Sequence, residues 1–579
     1  MLPALPFQRT ALTLALVLSS LAPAHSAAPV LEHLYPAGGQ QGTTVNVTAN
    51  GKFEPWPVEV WTDHPGLVFK ADKDKGKFTV EVSKDVPVGP HLVRVYNADG
   101  ASVPRFFLVN THTEVLDKES NDSPRQAQAL DQLPVIVNGR LERGGDVDGY
   151  AVKLQAGQWL VASVNAFTIY STMDGLLRIT DTNGFKLAFA HDSDTLDPFL
   201  AWQAKSNGTY VVQVMGFAHP ATSSENLGGG ANYIYRLSLT TGPYLRYAFP
   251  STVQRGQKEN LQLIGWNLTQ SARTMSLDAT ALKAGRDEAV IHPKEAFNNL
   301  AIPLSDAPAL RETEPNNAAE QAQKIAVPCS INGIFQEPGD VDRFVFEAKK
   351  DAKLEFEVEG ASPGTPLDAW LRLLDHTGKE LAKTGEREGG RRRSRDSGDA
   401  GSRLSWTAPA DGTYSILLGN LLHKGGEDYV YRLDITSPKP GFAAKASAHT
   451  FSIAPGKTNE VKATVRLLNG FDHKLKLAAK NLPKGVSAEA VEVSDKGGDV
   501  TLKLVAADDA PPWNGVIQLA ISDTKTSHDE ILSADLTSGG IDNGVPQGFP
   551  TLVLERTDQL WLTVTPKPAP KEEKKEEKK

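Results

Sequence analysis

The sequence contains one ordered set of motifs twice, and this internal duplication constrains the fold more than any other feature. The string Gly-Asp-x-Asp-x-aromatic occupies residues 145–150 and again residues 339–344. An acidic segment precedes each string, and the motifs Asp-x-x-Gly, Gly-Thr-Tyr and Tyr-x-Tyr-x-Leu follow each one in the same order. Because several short motifs recur in one order, the sequence predicts a duplicated domain, at residues 111–242 and 310–437.

Within each copy apolar residues alternate with polar ones, which is the period of a strand with one buried face. Leu354, Phe356 and Val358, for example, alternate with glutamates. Such runs end at turn sequences that contain glycine, so we predict antiparallel strands. A helical signal is confined to short stretches such as residues 123–130, where Pro124 suits a first helical position. The predicted fold class is all-β, a linear array of β-sandwich domains of immunoglobulin-like and jelly-roll-like type.

The aromatic residues of these motifs are predicted to lie in the sandwich cores. The aromatic that closes each Gly-Asp-x-Asp string, Tyr150 or Phe344, begins the next strand. The tyrosines of the Tyr-x-Tyr motif fall on periodic apolar positions, which favours core packing over contact with a ligand. They are Tyr233, Tyr235, Tyr429 and Tyr431.

The segments around the duplicated domain are also strand-like and complete a division of the chain into modules. Residues 27–110 and 243–309 share a proline, a glycine turn and then alternating strand residues. Residues 438–565 form another β-rich unit. The last segment, 566–579, is charged and nearly free of apolar residues, which is typical of a solvated tail. The predicted order is a signal peptide (1–26), five β-sandwich modules and this tail.

The amino terminus and the composition indicate an exported protein. Residues 1–26 combine Arg9, a short apolar run and small residues before a cleavage position at Ala27, the order found in secretory signal peptides. No other segment is apolar enough to predict a membrane span. The 579 residues carry a net charge of −9, which gives no nucleic-acid signature. Cys329 is the only cysteine, so no intramolecular disulfide forms, and we expect it in a buried strand.

Each copy offers enough oxygen-bearing side chains for a calcium site. Calcium binds about six to eight oxygen ligands, several of them carboxylates. In an extended lead-in, alternate residues face one way, and the Asp-x-Asp pair would supply the opposite wall. The predicted ligands are Glu312, Glu314, Asn316, Asn317, Asp340 and Asp342 in the second copy, and Asp117, Glu119, Asn121, Asp122, Asp146 and Asp148 in the first. The same residue types also favour turns through their own side-chain hydrogen bonds, and this purely structural role stays open as the alternative.

The ordered motifs resemble the bacterial pre-peptidase C-terminal domain, a secreted β-sandwich family that includes collagen-binding domains of clostridial collagenases. The resemblance implies calcium bound through the lead-in and the acidic turn, although Gly145 and Gly339 stand where a further acid is expected, which would weaken the site. The modules at 27–110 and 243–309 resemble TIG/IPT-type immunoglobulin-like modules, and residues 438–565 are similar to immunoglobulin-like domains of bacterial envelope proteins. This alternation of modules resembles secreted proteins of planctomycete-type bacteria.

Sequence motifs of several common enzyme classes are absent, among them His-Glu-x-x-His, Gly-x-Ser-x-Gly and the Walker loop. The pre-peptidase domain normally accompanies a peptidase, and no unassigned stretch of this chain is long enough for one. We therefore expect a non-catalytic protein, secreted or held in the periplasm or cell envelope, that acts in binding, adhesion or scaffolding. Calcium is the expected cofactor, and an extracellular or envelope protein or polysaccharide is the expected partner. An unrecognised hydrolase and a structural spacer of an envelope complex stay open as alternatives.

Overall fold

The structure is a computed structural model, and its described residues form β-strands and short 3₁₀ helices. They are residues 27–193, 196–217, 227–282, 287–360, 367–384, 402–537 and 552–567. The predicted signal peptide and almost all of the predicted tail lie outside them. The all-β class and the array of β-sandwiches are confirmed by the sheets described below.

The first sandwich precedes the duplicated region. Its strands are β1 Val30–Tyr35, β2 Gly38–Gln40, β3 Thr43–Lys52, β4 Glu59–Thr62, β5 Leu67–Ala71, β6 Lys77–Val82, β7 Gly89–Asn97, β8 Gly100–Ala101 and β9 Arg105–Asn110. One sheet has the order β1-β3-β6-β5 and the other the order β2-β9-β7-β4, with β8 paired to β7.

The two duplicated units have the same sandwich topology. The first contains β10 Glu114–Leu116, β11 Gln128–Ala129, β12 Val135–Arg140, β13 Asp148–Leu154, β14 Trp159–Asn165, β15 Asp174–Asp181, β16 Lys186–Ala190, β17 Phe199–Gln203, β18 Gly208–Phe217 and β19 Ile234–Thr240, with a 3₁₀ helix at Phe167–Ile169. Its sheets have the orders β10-β12-β19-β14-β17 and β11-β13-β18-β15-β16.

The second duplicated unit repeats both sheets strand for strand, with the orders β26-β28-β35-β30-β33 and β27-β29-β34-β31-β32. Its strands are β26 Ala309–Arg311, β27 Gln323–Lys324, β28 Cys329–Ile334, β29 Val341–Ala348, β30 Lys353–Gly360, β31 Ala369–Asp375, β32 Glu380–Thr384, β33 Ser402–Thr407, β34 Gly412–Asn420 and β35 Val430–Thr436, with a 3₁₀ helix at Ala319–Gln321.

A smaller pair of sheets lies between the duplicated units, with the orders β20-β22-β23 and β21-β25-β24. Its elements are β20 Tyr244–Phe249, β21 Val253–Gln254, β22 Lys258–Trp266, β23 Thr274–Asp278, β24 Glu288–Ile291 and β25 Leu300–Ser305, with 3₁₀ helices at Ser271–Arg273 and Ala279–Ala281.

The last sandwich follows the second duplicated unit. Its strands are β36 Gly441–Ala446, β37 Thr450–Ile453, β38 Thr458–Leu468, β39 Leu475–Lys480, β40 Val486–Ala488, β41 Val491–Glu492, β42 Gly498–Ala506, β43 Trp513–Asp523, β44 His528–Ile531, β45 Ala534–Thr537, β46 Val553–Thr557 and β47 Leu560–Val564. Strands β36-β38-β42-β40 form one sheet and β37-β47-β43-β39-β41 the other, while β44 pairs with β43 and β45 with β46.

The cores follow the alternation seen in the sequence. Leu354, Phe356 and Val358 are buried on β30, while the glutamates between them are less buried. Tyr150 and Phe344 are fully buried, so each does begin a core strand, and Cys329 is buried on β28 as expected. The helical signal at 123–130 was wrong.

In that stretch the Gln126 N–H donates to the Ser123 carbonyl and closes a turn. Residues 128–129 then pair with β13 as strand β11. A segment this short gains little from helical hydrogen bonds, so the tertiary pairing determines its conformation.

Each duplicated sandwich contacts the module before it through the same asparagine and arginine positions. In the second unit, Asn332 Oδ1 accepts the Thr252 N–H (2.9 Å), and Arg432 donates to the Thr252 hydroxyl (3.3 Å). In the first, Arg236 donates to Asn138 Oδ1 (2.8 Å), and its guanidinium occupies the space that a Cβ on Gly38 would fill. The repeated element is therefore a pair of modules, each with its own internal interface.

The array folds back so that its first and last sandwiches are in contact. The Trp61 and Trp561 rings lie 5.9 Å apart in an edge-to-face arrangement, and Trp561 is almost fully buried. Leu536 of β45 packs in one cluster with Phe106 and with Tyr170 of the first duplicated unit. The two ends of the array thus share a buried apolar junction.

Among the described residues, no helix has the length and apolar character needed to span a bilayer.

Candidate metal centres

In each duplicated sandwich the acidic lead-in crosses from one sheet to the other. In the first, β10 pairs in parallel with β12 in one sheet, and β11 pairs in parallel with β13 in the other. In the second, β26 pairs with β28, and β27 with β29, in the same way. The lead-in therefore joins the two sheets beside the strand that follows the Gly-Asp-x-Asp turn.

A glutamine side chain closes the lead-in loop in both copies. Gln128 Oε1 accepts the Lys118 N–H (2.9 Å), and its Nε2 donates to the Leu116 carbonyl (3.1 Å). Gln323 makes the equivalent two bonds, of 2.8 and 3.0 Å. One amide thus satisfies a backbone donor and a backbone acceptor at once. Sequence analysis missed this contact, and the Gln-Ala-Gln string present in both copies is the signal that identifies it.

The first aspartate of each string holds a turn. Gly145 and Gly339 have φ values of +85° and +87°, a region that glycine enters without strain. The Asp146 carboxylate accepts the backbone N–H four residues earlier (2.5 Å), and Asp340 does the same (2.6 Å). The glycines are therefore required by the backbone, and the structural role of Asp146 and Asp340 does account for part of the motif.

In the first copy, five acidic side chains form two overlapping groups. Ligand atoms of Asp117, Glu119 and Asp148 lie within 4.8 Å of one another, and so do those of Glu119, Asp122 and Asp146. Glu119 belongs to both groups. The lead-in and the Asp-x-Asp turn, which are separate in the sequence, therefore meet in one acidic cluster.

In the second copy, Glu312, Glu314 and Asp342 form the equivalent group, again within 4.8 Å of one another. Asp340 lies beside them and uses both carboxylate oxygens in backbone hydrogen bonds of the turn. Asn317 is exposed.

The two clusters differ in charge at one flanking position. Arg143 donates to Asp122 (2.8 Å) and lies 3.9 Å from Asp146. The second copy has Glu337 three residues before its first aspartate, where the first copy has Arg143. The first cluster thus contains a built-in cation that the second lacks.

Two buried tyrosine hydroxyls line the first cluster. Tyr235 donates to Asp148 Oδ2 (2.5 Å), Tyr150 donates to Asp117 (2.8 Å), and the two hydroxyl oxygens lie 2.5 Å apart. In the second copy Tyr431 donates to Glu312 (2.9 Å). The core positions of Tyr235 and Tyr431 are confirmed by their burial. Their hydroxyl contacts were not predicted, since an alternating pattern locates a side chain but not its polar end.

A glycine faces each of these tyrosines across the sheet. Gly139 pairs with Tyr235, and Gly333 pairs with Tyr431. A Cβ on Gly333 would lie 2.2 Å from the Tyr431 ring and 2.3 Å from Glu312 Oε2. The Asn-Gly string of β12 and β28 therefore creates the space in which the tyrosine reaches the acidic group.

Several polar atoms of the clusters are buried without a hydrogen-bond partner. They are Oδ1 of Asn121, Asp122, Asp146 and Asp148 in the first copy, and Oε1 of Glu314 with Oδ1 of Asn316 and Asp342 in the second. Asn121, Asn316, Asp148 and Asp342 are fully buried. Leaving such groups unsatisfied costs about 1–3 kcal/mol each, and more for charged ones, so both clusters are suited to a ligand that accepts oxygen donors.

Burial and like charge raise the pKa of the innermost acids. Desolvation, followed by the charge of Asp117, raises the pKa of Asp148 to about 9. Desolvation and the charge of Glu312 raise the pKa of Asp342 to about 9. Desolvation also raises the pKa of Glu312 to about 7. Carboxylates held together in this way favour either a proton or a cation between them.

The fold and the clusters define an all-β, multi-sandwich protein with one buried acidic site in each of two topologically identical units. The sequence matches no protein-family model. It is 28% identical over 218 residues to a probable subtilase-type serine protease of Deinococcus radiodurans, which covers 36% of this chain and 26% of that protein. The chain thus spans about a quarter of that relative's length.

Three solved structures show similarity to the chain. The pre-peptidase C-terminal domain of a collagenase from Bacillus anthracis is 17% identical, with 21% of this chain and 100% of that chain covered and a TM-score of 0.16. Tripeptidyl peptidase 2 is 11% identical (88% and 40% covered, TM-score 0.14). The N-terminal eight immunoglobulin domains of Down syndrome cell adhesion molecule are 10% identical (88% and 72% covered, TM-score 0.12).

Proposed function

We propose that this chain is an exported, non-catalytic binding or scaffolding protein whose duplicated units are pre-peptidase C-terminal domains that each bind calcium. One observation carries the calcium assignment. Asp148 and Asp342, at equivalent positions, are fully buried, and each has a carboxylate oxygen without a partner. An isolated buried carboxylate is too costly to recur by accident in two copies of one fold.

The donor set fits a hard cation. All of the groups are oxygen donors, and calcium is bound by carboxylate and amide oxygens at about 2.3–2.6 Å. Ligands on opposite sides of such an ion are about 5 Å apart, which agrees with acidic groups whose atoms lie within 4.8 Å of one another. The residues that would hold the ion are Asp117, Glu119, Asn121, Asp122, Asp146 and Asp148 in the first copy, and Glu312, Glu314, Asn316 and Asp342 in the second.

A calcium ion in these sites would act as a structural link. Glu312 and Glu314 follow β26 of one sheet, whereas Asp342 belongs to β29 of the other. An ion held by all three would connect the two sheets and neutralise the repulsion between the acids. Because a ligand that binds only the folded state stabilises it by mass action, we expect calcium to raise the melting temperature.

Thermal unfolding with calcium and with chelator tests this assignment. The wild-type chain should melt at a higher temperature in calcium, and Asp148→Asn combined with Asp342→Asn should abolish most of that shift. Asp509→Asn, an exposed acid of the last sandwich, is the control and should keep the shift. Equal melting temperatures in saturating calcium and in chelator would rule the sites out.

The non-catalytic assignment is supported by how the described histidines are used. His91 and His473 each bind a carboxylate, Asp63 at 2.9 Å and Asp523 at 2.8 Å. The second nitrogen of His91 lies 2.7 Å from the Pro87 carbonyl. In the described part of the chain no serine hydroxyl is hydrogen-bonded to either ring, so these pairs lack the nucleophile of a serine hydrolase.

The similarity to a probable subtilase-type serine protease favours an accessory role beside a peptidase over a peptidase activity of this chain's own. A fluorophosphonate probe distinguishes the two, because it labels an activated serine covalently. We expect no labelling of the purified chain, whereas labelling at a single serine would establish the hydrolase alternative. Export is tested separately, by amino-terminal sequencing of the mature protein, which should begin at Ala27.

A further inference from the structure

The first duplicated sandwich has an exposed apolar strip on an edge strand. Strand β16 is the last strand of its sheet and pairs only with β15 among the described strands. Phe185, Leu187 and Phe189 are 71%, 42% and 44% exposed. They alternate with Lys186 and Ala188, so all three project from the same face of the sheet.

The fold itself does not require this strip, as the second copy shows. Its strand β32 has the same register with its neighbour, including the same irregularity. The turn before it is also the same, because Asp181 and Asp375 each accept two backbone N–H groups.

The residues of β32 that correspond to the two phenylalanines are Lys379 and Lys383. Glu380 of the same strand lies 4.0 Å from Lys383. An edge protected by lysines is the usual arrangement in monomeric sheets, since an unpaired strand otherwise invites pairing with another chain. The first copy therefore lacks a protection that its own duplicate has.

We propose that β16 is a dimerisation edge, which pairs antiparallel with β16 of a second copy of this chain. In a pairing centred on Leu187, Phe185 of one copy lies opposite Phe189 of the other, and Leu187 lies opposite its own equivalent. All six apolar side chains then share one face. Lys186 lies opposite Ala188, so no like charges meet across the pair. The strip is thus complementary to itself, which is what a two-fold interface requires.

The size of the strip sets the expected strength. Five residues of strand span about 17 Å. A contact of this length buries less surface than a permanent dimer does, so the dimer should be reversible and dependent on concentration. Joining two edges of this kind produces one continuous ten-stranded sheet from two five-stranded ones.

Analytical ultracentrifugation of the mature chain, in calcium, tests the oligomeric state. The wild type should shift from monomer to dimer as its concentration rises through the micromolar range. Phe185→Lys combined with Phe189→Lys copies the second unit's residues and should weaken the association by roughly tenfold or more. Leu422→Lys removes another exposed apolar side chain, elsewhere in the protein, and should leave the association unchanged. A wild type that stays monomeric at the highest soluble concentration overturns the proposal and points to a different partner for this edge.

Cysteine crosslinking tests the register. The native Cys329 is fully buried, so it contributes little background. Opposed residues of an antiparallel pair have Cα atoms about 4.5–5.5 Å apart, within disulfide range. Leu187→Cys should therefore crosslink with itself, and Phe185→Cys should crosslink with Phe189→Cys when the two variants are mixed.

Leu381→Cys, at the equivalent position of β32, is the matched control for crosslinking and should remain monomeric. Equal crosslinking at positions 187 and 381 contradicts the proposal, because it reflects random collision. Circular dichroism of each variant checks the fold, which the double lysine variant should keep since β32 tolerates the same residues.

Discussion

The guanidinium of Arg94 donates a hydrogen bond to the hydroxyl of Thr450 at 2.7 Å, across 356 positions of the chain. Arg94 lies on β7 of the first sandwich and is fully buried, and its other contacts include the carbonyls of Ser102, His449 and Gln559. No ion pair with a carboxylate is described for it, and its Nε has no partner. A buried cation held only by neutral acceptors depends on all of them, so the junction between the first and last sandwiches is sensitive to this one residue.

Arg94→Ala should open the junction. The change removes the hydrogen bonds to the last sandwich and leaves a cavity beside Trp561, with an expected cost of about 2–4 kcal/mol. Small-angle scattering should show a larger radius of gyration, and limited proteolysis should become faster between the last two modules. Arg466→Ala removes an exposed arginine and serves as the control. Identical scattering curves for Arg94→Ala and wild type would show that the junction does not depend on the guanidinium.

Acid should weaken the same junction through His449. Burial, followed by the charge of Arg94, lowers the pKa of His449 to about 4 from an ordinary value of 6.5. The unfolded or undocked histidine therefore binds a proton between pH 6.5 and 4, and the docked one does not. Docking is fully favourable above pH 6.5 and loses up to about 3 kcal/mol as the pH falls to 4.

The measurement is the radius of gyration, or the melting temperature of the junction, from pH 7 to pH 4. His449→Asn removes the titrating ring and should flatten this profile. His33 lies in the first sandwich, and its pKa is also lowered to about 4, so it leaves a smaller residual slope of the same sign. His376→Asn, which changes an exposed histidine, should retain the wild-type profile.

The local patterns predicted the strands, the duplicated unit and the acidic groups, because alternation and turn residues are local properties of the chain. The same patterns could not show that the ends of the array meet. Thr450 and Trp561 fit ordinary strand positions, and their contacts with Arg94 and Trp61 depend on how whole modules are placed. Non-local contacts of this kind leave no periodic signal in the sequence.

The candidate sites show the same division. The lead-in and the Asp-x-Asp strings were identified from residue type and spacing. The contribution of Tyr235 was missed because a tyrosine on an apolar position reads as core, although its hydroxyl reaches Asp148 (2.5 Å). Gly139 could have revealed it, since a glycine inside a strand often indicates that another group approaches closely.

Gly333→Ala should damage the second site through Tyr431. The new Cβ would overlap the tyrosine ring and Glu312 Oε2, at 2.2 and 2.3 Å. We expect a loss of about 1–3 kcal/mol in the free energy of unfolding, and a smaller calcium-dependent increase in melting temperature. Gly441→Ala, at a strand position with open space, is the control and should be close to neutral. A Gly333→Ala variant with wild-type stability and calcium response would show that this close approach is not needed.

The last prediction concerns how pH acts on the chelated protein. The pKa of Asp148 and that of Asp342 are raised to about 9, from an ordinary value of 3.8. Between these values the folded chain holds protons that the unfolded chain has released. Without a bound cation, stability should therefore fall as the pH rises from about 4 to about 9, with an upper limit of about 1.4 kcal/mol per pH unit for each carboxyl.

Calcium should reverse much of this loss. The ion replaces the protons, so its binding strengthens as the pH rises, and the difference in melting temperature between calcium and chelator should widen from pH 5 to pH 9. Asp342→Asn keeps the shape of the side chain but removes the charge, and should flatten the chelated profile for the second unit only. If the chelated wild type is equally stable at pH 5 and pH 8, the two aspartates are not held as uncharged acids in the fold. The calcium response must then arise elsewhere in the chain.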